Sequence, residues 1–141
     1  MKKIMTLLIL MVFSCSAFAS GFKTEKEIRN FTDKMMDQFL VKKFDEALNS
    51  AKSYWPIPSV EVDSMSNQIS QQWPIIDQRF GQSISKEFIK EKRIGKSFLR
   101  YYYLHKFENH SIYWQFDFYK PRKEWKINSI TFLDTLGRLY E

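Results

Sequence analysis

The chain has 141 residues, room for one domain. Hydrophobic residues make up 44% and charged residues 27%, a balance that excludes disordered, collagen-like and low-complexity chains. The formal net charge of +6 comes from basic residues interleaved with acidic ones, which reads as a solvated surface, with weak attraction to anionic lipid or polyanion as the minor alternative.

The first nineteen residues read as a secretory signal: Lys2 and Lys3, an apolar run from Ile4 to Phe13, then Ala17-Phe18-Ala19 as the small-x-small cleavage pattern before Ser20. Export makes nucleic acid an unsuitable partner. The apolar run is shorter than the roughly 20 residues a membrane-spanning helix needs, so no transmembrane segment is expected. Ser14-Cys15 after that run is the competing site, a lipoprotein-type cut, but Phe13 fits it poorly; periplasmic or secreted release is favoured over lipid anchoring. Cleavage after Ala19 leaves a single domain, residues 20–141, with no cysteine. Such a chain has no disulfide, thiol nucleophile or thiolate metal site and relies on its core. Thirteen Phe, seven Tyr and four Trp, against four Gly and four Pro, predict a core filled by rings.

From Lys23 to Leu40 the apolar positions Ile28, Phe31, Met35 and Phe39 predict a helix, with Thr24 and Glu27 as a capping box. Asp33 and Asp37 fall between those positions and read as solvent-facing charges. A second stripe, Phe44, Ala47, Leu48 and Ala51, predicts a short helix that Pro56 and Pro58 end. A third starts near Ser59 or Asp63 and carries Met65, Ile69, Trp73, Ile76 and Phe80 to a stop at Gly81. Pro74 lies inside it and either kinks or divides it.

From Ile84 the apolar period changes to two. Between Ser97 and Phe107 the odd positions Leu99, Tyr101, Tyr103, His105 and Phe107 form the inner face. After a Glu108-Asn109-His110 turn, Ser111 to Tyr119 places Ile112, Trp114, Phe116 and Phe118 on one face. A loop at Lys120 to Glu124 leads to a last strand, Trp125 to Leu133, in which a change of parity predicts a bulge near Asn128-Ser129. The fold class is therefore α+β: N-terminal helices packed on a curved antiparallel sheet of three to four strands.

The run Tyr-x-Trp-x-Phe-x-Phe-Tyr-Lys-Pro, Tyr113 to Pro121, followed by Trp-Lys-Ile-Asn-Ser-Ile-x-Phe, Trp125 to Phe132, resembles the closing hairpin of the nuclear transport factor two-like superfamily. Small secreted bacterial members, often domains of unknown function, are similar over most of residues 23 to 134. The resemblance implies a cone of helices wrapped by a bent sheet, commonly around a pocket. Enzymes of that superfamily resembling ketosteroid isomerase or scytalone dehydratase place Asp, His and Tyr inside the cone for proton transfer, where burial moves their pKa values.

Here Tyr101, Tyr103, His105 and Trp114 are the candidate pocket residues, and none matches a catalytic motif of the family. His105 looks like a base but lacks an identifiable orienting partner, so it is expected to be structural. No phosphate loop, nucleophile elbow or His-Glu-x-x-His pattern occurs, and His105 and His110 are the two histidines of the chain. No catalytic residue, metal site or cofactor is expected. The reading is an exported binding domain for a small apolar ligand or a protein, with a homodimer through the sheet as one such partner. An acid-base enzyme of isomerase or dehydratase type is the alternative.

Overall fold

The structure, a computed structural model, describes residues 19–141. The expectations about Lys2 to Phe18, including Cys15, lie outside the described residues. Three helices are followed by four strands, in the order the sequence predicts. Helix α1 (Glu25–Leu40) starts at Thr24, whose hydroxyl accepts the Glu27 N–H at 3.2 Å, while the Glu27 carboxylate accepts the Lys23 N–H at 2.7 Å. Helix α2 is Phe44–Ala51 and α3 is Ser59–Phe80, which begins after Pro58. Pro74 neither divides nor ends α3; its ring lies on the exposed side, away from the packed face. Gly81 ends the helix at φ +85, a backbone state that suits glycine. The buried stripe of α3 is Val62, Ser66, Ile69, Trp73 and Phe80, with Met65 and Ile76 only partly covered.

Strands β1 (Ser83–Ile94), β2 (Phe98–Phe107), β3 (Ser111–Tyr119) and β4 (Lys126–Leu133) form one antiparallel meander in the order β1-β2-β3-β4. Asp117 faces Ser129 and Phe118 faces Ile127, so Asn128 is the extra residue of the expected bulge. Among the described residues no helix is long and apolar enough to cross a membrane.

The inner face of the sheet holds the ring core. Ile112, Trp114, Phe116 and Phe118 of β3 are buried, as are Leu99, Tyr101, Tyr103, His105 and Phe107 of β2. Helix α1 lays Phe39 on Trp114 with ring centres 4.1 Å apart, and Trp73 of α3 packs against Phe44, His105 and Phe107.

Charges join α1 to the edge strand β1. Glu25, Arg29, Asp33 and Asp37 recur every four residues, so they share one helix face. Arg93 donates to both Glu25 oxygens at 2.7 and 2.6 Å, the Arg29 guanidinium lies 3.5 Å over the Phe88 ring, and Lys86 reaches the Asp37 carboxylate and the Asp33 carbonyl, each at 2.6 Å. Asp33 is therefore partly covered, while Asp37 is exposed, as expected of a solvent-facing charge, even though it pairs with Lys86. They form a half-wet seam that positions the helix on the sheet edge.

The outer face is partly closed as well. Tyr102 and Tyr113 point outward and are nonetheless buried. A C-terminal 3₁₀ helix (Leu136–Tyr140) packs against β3 here, and Lys90 ties it down through the Leu139 carbonyl. At the other end of the sheet the β1–β2 turn and the β3–β4 loop lie side by side, since Phe98 pairs with Tyr119 and the Lys120 N–H donates to the Ser97 carbonyl at 2.8 Å. The described chain begins at this same end: Phe22 and Trp125 exchange backbone hydrogen bonds of 2.8 and 2.9 Å, and the Lys126 ammonium holds the Ala19 carbonyl.

Candidate functional site

Tyr101, Tyr103, His105 and Trp114 all face the interior, as their strand parity predicts, and alternation brings them to one sheet face: Tyr103 pairs across the strands with Trp114 and Tyr101 with Phe116. Each is packed rather than arrayed around a cavity. Tyr101 meets Phe88 and Phe118 edge-on, and Tyr103 meets Phe88 and Phe116 the same way. The Tyr103 hydroxyl donates to Asp33 at 2.7 Å and lies 2.8 Å from the Thr32 hydroxyl, so both of its polar capacities are used. Burial pushes the pKa of Tyr103 upward, and the adjacent Asp33 carboxylate adds to the shift. That hydroxyl is a structural tie between α1 and β2, not a proton donor waiting for substrate.

His105 has the partners that sequence reasoning did not find. Its Nε2 lies 2.5 Å from the Ser83 hydroxyl and its Nδ1 lies 3.3 Å from the Trp114 indole nitrogen. An indole N–H can only donate, so Nδ1 carries the lone pair and Nε2 carries the hydrogen, which it donates to Ser83. Burial lowers the pKa of His105 to about 4, with the Asp77 carboxylate acting weakly in the other direction. The ring is therefore neutral at physiological pH. Ser83 escaped notice because it begins β1 just ahead of a register shift, and no local pattern links it to a residue 22 positions later.

A serine against a histidine invites comparison with a hydrolytic dyad, and the surroundings sharpen it. Ser83 lines a cleft of about 440 Å³ together with Lys42, Asp77 and Gly81. Asp77 pairs with Lys42 through one oxygen, and its other oxygen is buried without a partner. A serine nucleophile, however, needs the unprotonated nitrogen of the imidazole facing its hydroxyl, with the far N–H held by an acceptor. Trp114 imposes the reverse tautomer. The proton that a base would have to accept already sits on the nitrogen that faces Ser83.

One apolar hollow of about 230 Å³ lies between α3 and the sheet, lined by Ile75, Ile76, Phe80, Ile112, Phe132 and Leu133; a second concave and apolar surface, with exposed rings, is at the end of the sheet where the β1–β2 turn and β3–β4 loop meet. Ile94 is 74% exposed, and Phe98 and Tyr119, each 39% exposed, stack on one another at 4.8 Å. A hollow of about 180 Å³ beside them is lined by Lys92, Ile94, Phe98, Leu99, Arg100 and Asp117. Arg100 grips Asp117 with two bonds of 2.7 and 2.8 Å, which fixes the polar wall of the hollow. Around the loop a wider hollow of about 760 Å³ is bordered by Pro121, Arg122, Lys123, Glu124 and Lys126. Sequence reading passed over this site because Phe98 and Tyr119 sit at strand ends, where parity carries little meaning.

Among the described residues no group of three or more His, Cys, Asp and Glu side chains is placed to hold a metal ion. Comparison with protein-family models, with curated proteins and with solved structures finds no match to the chain.

Proposed function

We propose that this chain is an exported, non-enzymatic binding domain built on a nuclear transport factor two-like cone, and that it binds through the loop end of its sheet rather than through its interior. The observation that carries the reading is the contrast between two aromatic groups. Tyr103, His105 and Trp114 are buried with their polar atoms engaged, whereas Phe98 and Tyr119 form a stacked pair open to solvent beside Ile94. Exposed apolar side chains gathered on one spot, rimmed by charge, mark interaction surfaces.

An anionic aromatic probe, anilinonaphthalene sulfonate, tests the reading in a 15N-labelled sample. Its apolar rings suit Phe98 and Tyr119 and its sulfonate suits Lys92. The expected result is shifts confined to the amides of Ile94, Phe98, Leu99 and Tyr119, unchanged in a His105→Asn variant. Shifts centred on Tyr103, His105 and Trp114 would locate the binding site in the cone instead. Covalent labelling of Ser83 by a fluorophosphonate would establish the enzymatic alternative.

A further inference from the structure

Resting on that reading, we infer that the occupant of the loop end is the surface of an anionic lipid bilayer. Apolar and basic side chains are combined there. Ile94 at the tip of the β1–β2 hairpin and the Phe98–Tyr119 stack behind it supply apolar groups of the size that enters the headgroup region. Lys92, Lys96, Arg122 and Lys123 surround them; all four are exposed, and none has an ion-pair partner among the described residues. Of the carboxylates nearby, Glu25 and Glu91 hold Arg93 and Asp117 holds Arg100; Glu124 of the loop offsets one of the four cations, and the unspent charge at this end is still positive.

The position of the chain's start agrees with this orientation. Phe22 is held by Trp125 at the base of the same loop, so the chain enters the domain at this end of the sheet. Anionic lipid attracts basic residues near its surface by about 1 kcal/mol each, which for three neutralised charges compounds to about a hundredfold in partitioning.

The test uses the chain exported with its own leader, its N-terminus read by intact mass, and sedimented with vesicles of phosphatidylcholine alone or of phosphatidylcholine with phosphatidylglycerol at 3:1. Binding should be at least tenfold stronger to the anionic vesicles. Lys96→Gln, Arg122→Gln and Lys123→Gln together should weaken it about a hundredfold with no change in melting temperature, since none of the three packs on the core. An environment-sensitive dye on Ile94→Cys should shift to the blue with anionic vesicles, and the same dye on Ile75→Cys, an exposed site on α3, should not. Equal partitioning into the two vesicles overturns the inference. So does a silent dye at Ile94 in a protein that binds heparin and vesicles alike, which would indicate a soluble polyanion. If vesicle binding fails while anilinonaphthalene sulfonate still perturbs Phe98 and Tyr119, the binding surface stands and the bilayer is the wrong occupant.

Discussion

Mild acid should destabilise this protein through His105. The ring is completely buried, and its pKa of about 4 stands against an ordinary value of 6.5 because the imidazolium would lose its hydration. In the unfolded chain the same residue titrates near 6.5. Between those two values the unfolded state binds a proton that the folded state refuses, so stability falls as the pH drops through that window. At 1.36 kcal/mol for each tenfold change in proton affinity, the full gap is about 3 kcal/mol, of which about 2 kcal/mol is lost by pH 5. Against the roughly 5 to 15 kcal/mol that holds a domain together, this is a large fraction. Urea melts at pH 7 and pH 5 on the native chain and on His105→Asn measure it, because the carboxamide can still accept from Trp114 and cannot titrate. The variant should be less stable at pH 7 yet lose about 2 kcal/mol less on acidification; contributions from carboxylates common to both proteins cancel. Equal acid losses in the two proteins would refute the reasoning and place the imidazole in contact with water.

Trp114→Ala or Phe116→Ala should cost about 3 to 5 kcal/mol in denaturant melts, since both rings are fully buried on the central strand β3; an unchanged midpoint would contradict the assignment of the inner face. Tyr103→Phe should cost about 1 to 2 kcal/mol, because the Asp33 carboxylate loses a charge-assisted donor, and faster amide exchange in the middle of α1 should accompany it. Glu25→Ala, by contrast, removes a pair whose side chains are 41% and 42% exposed and should cost less than about 1 kcal/mol, a difference that shrinks further in high salt.

The order of elements was legible in the sequence because each carries its own period. The switch from spacings of three and four to strict alternation falls at Gly81, where α3 ends, and the parity change between Ile127 and Ile130 revealed the bulge that Asn128 makes. Pro74 could not be resolved in advance, since its effect depends on whether the freed carbonyl of the preceding turn faces water, and the exposed side of α3 provides that. Asp33, expected to face solvent, instead joins the seam with Glu25 and Arg29, and was misread for a different reason. A charged helix stripe has the same spacing whether it faces solvent or an edge strand, and only the placement of Arg93, Phe88 and Lys86 beneath it distinguishes the two. Likewise the burial of Tyr102 and Tyr113 on the outer face depends on a C-terminal turn whose five residues have no periodicity to read.

That turn has a consequence for how the molecule is made and handled. Leu136 to Tyr140 are laid over a sheet whose four strands are complete without them. A chain cut short at Thr135 would keep every residue of its ring core and differ from the longer chain mainly in bare tyrosines at Tyr102 and Tyr113. Such a product is hard to distinguish by secondary structure or melting alone, but it would be stickier, with an additional flat apolar surface through which two sheets could stack. A purification tag fused after Glu141 hangs from this same cover, so its length and charge bear directly on whether the preparation stays monodisperse.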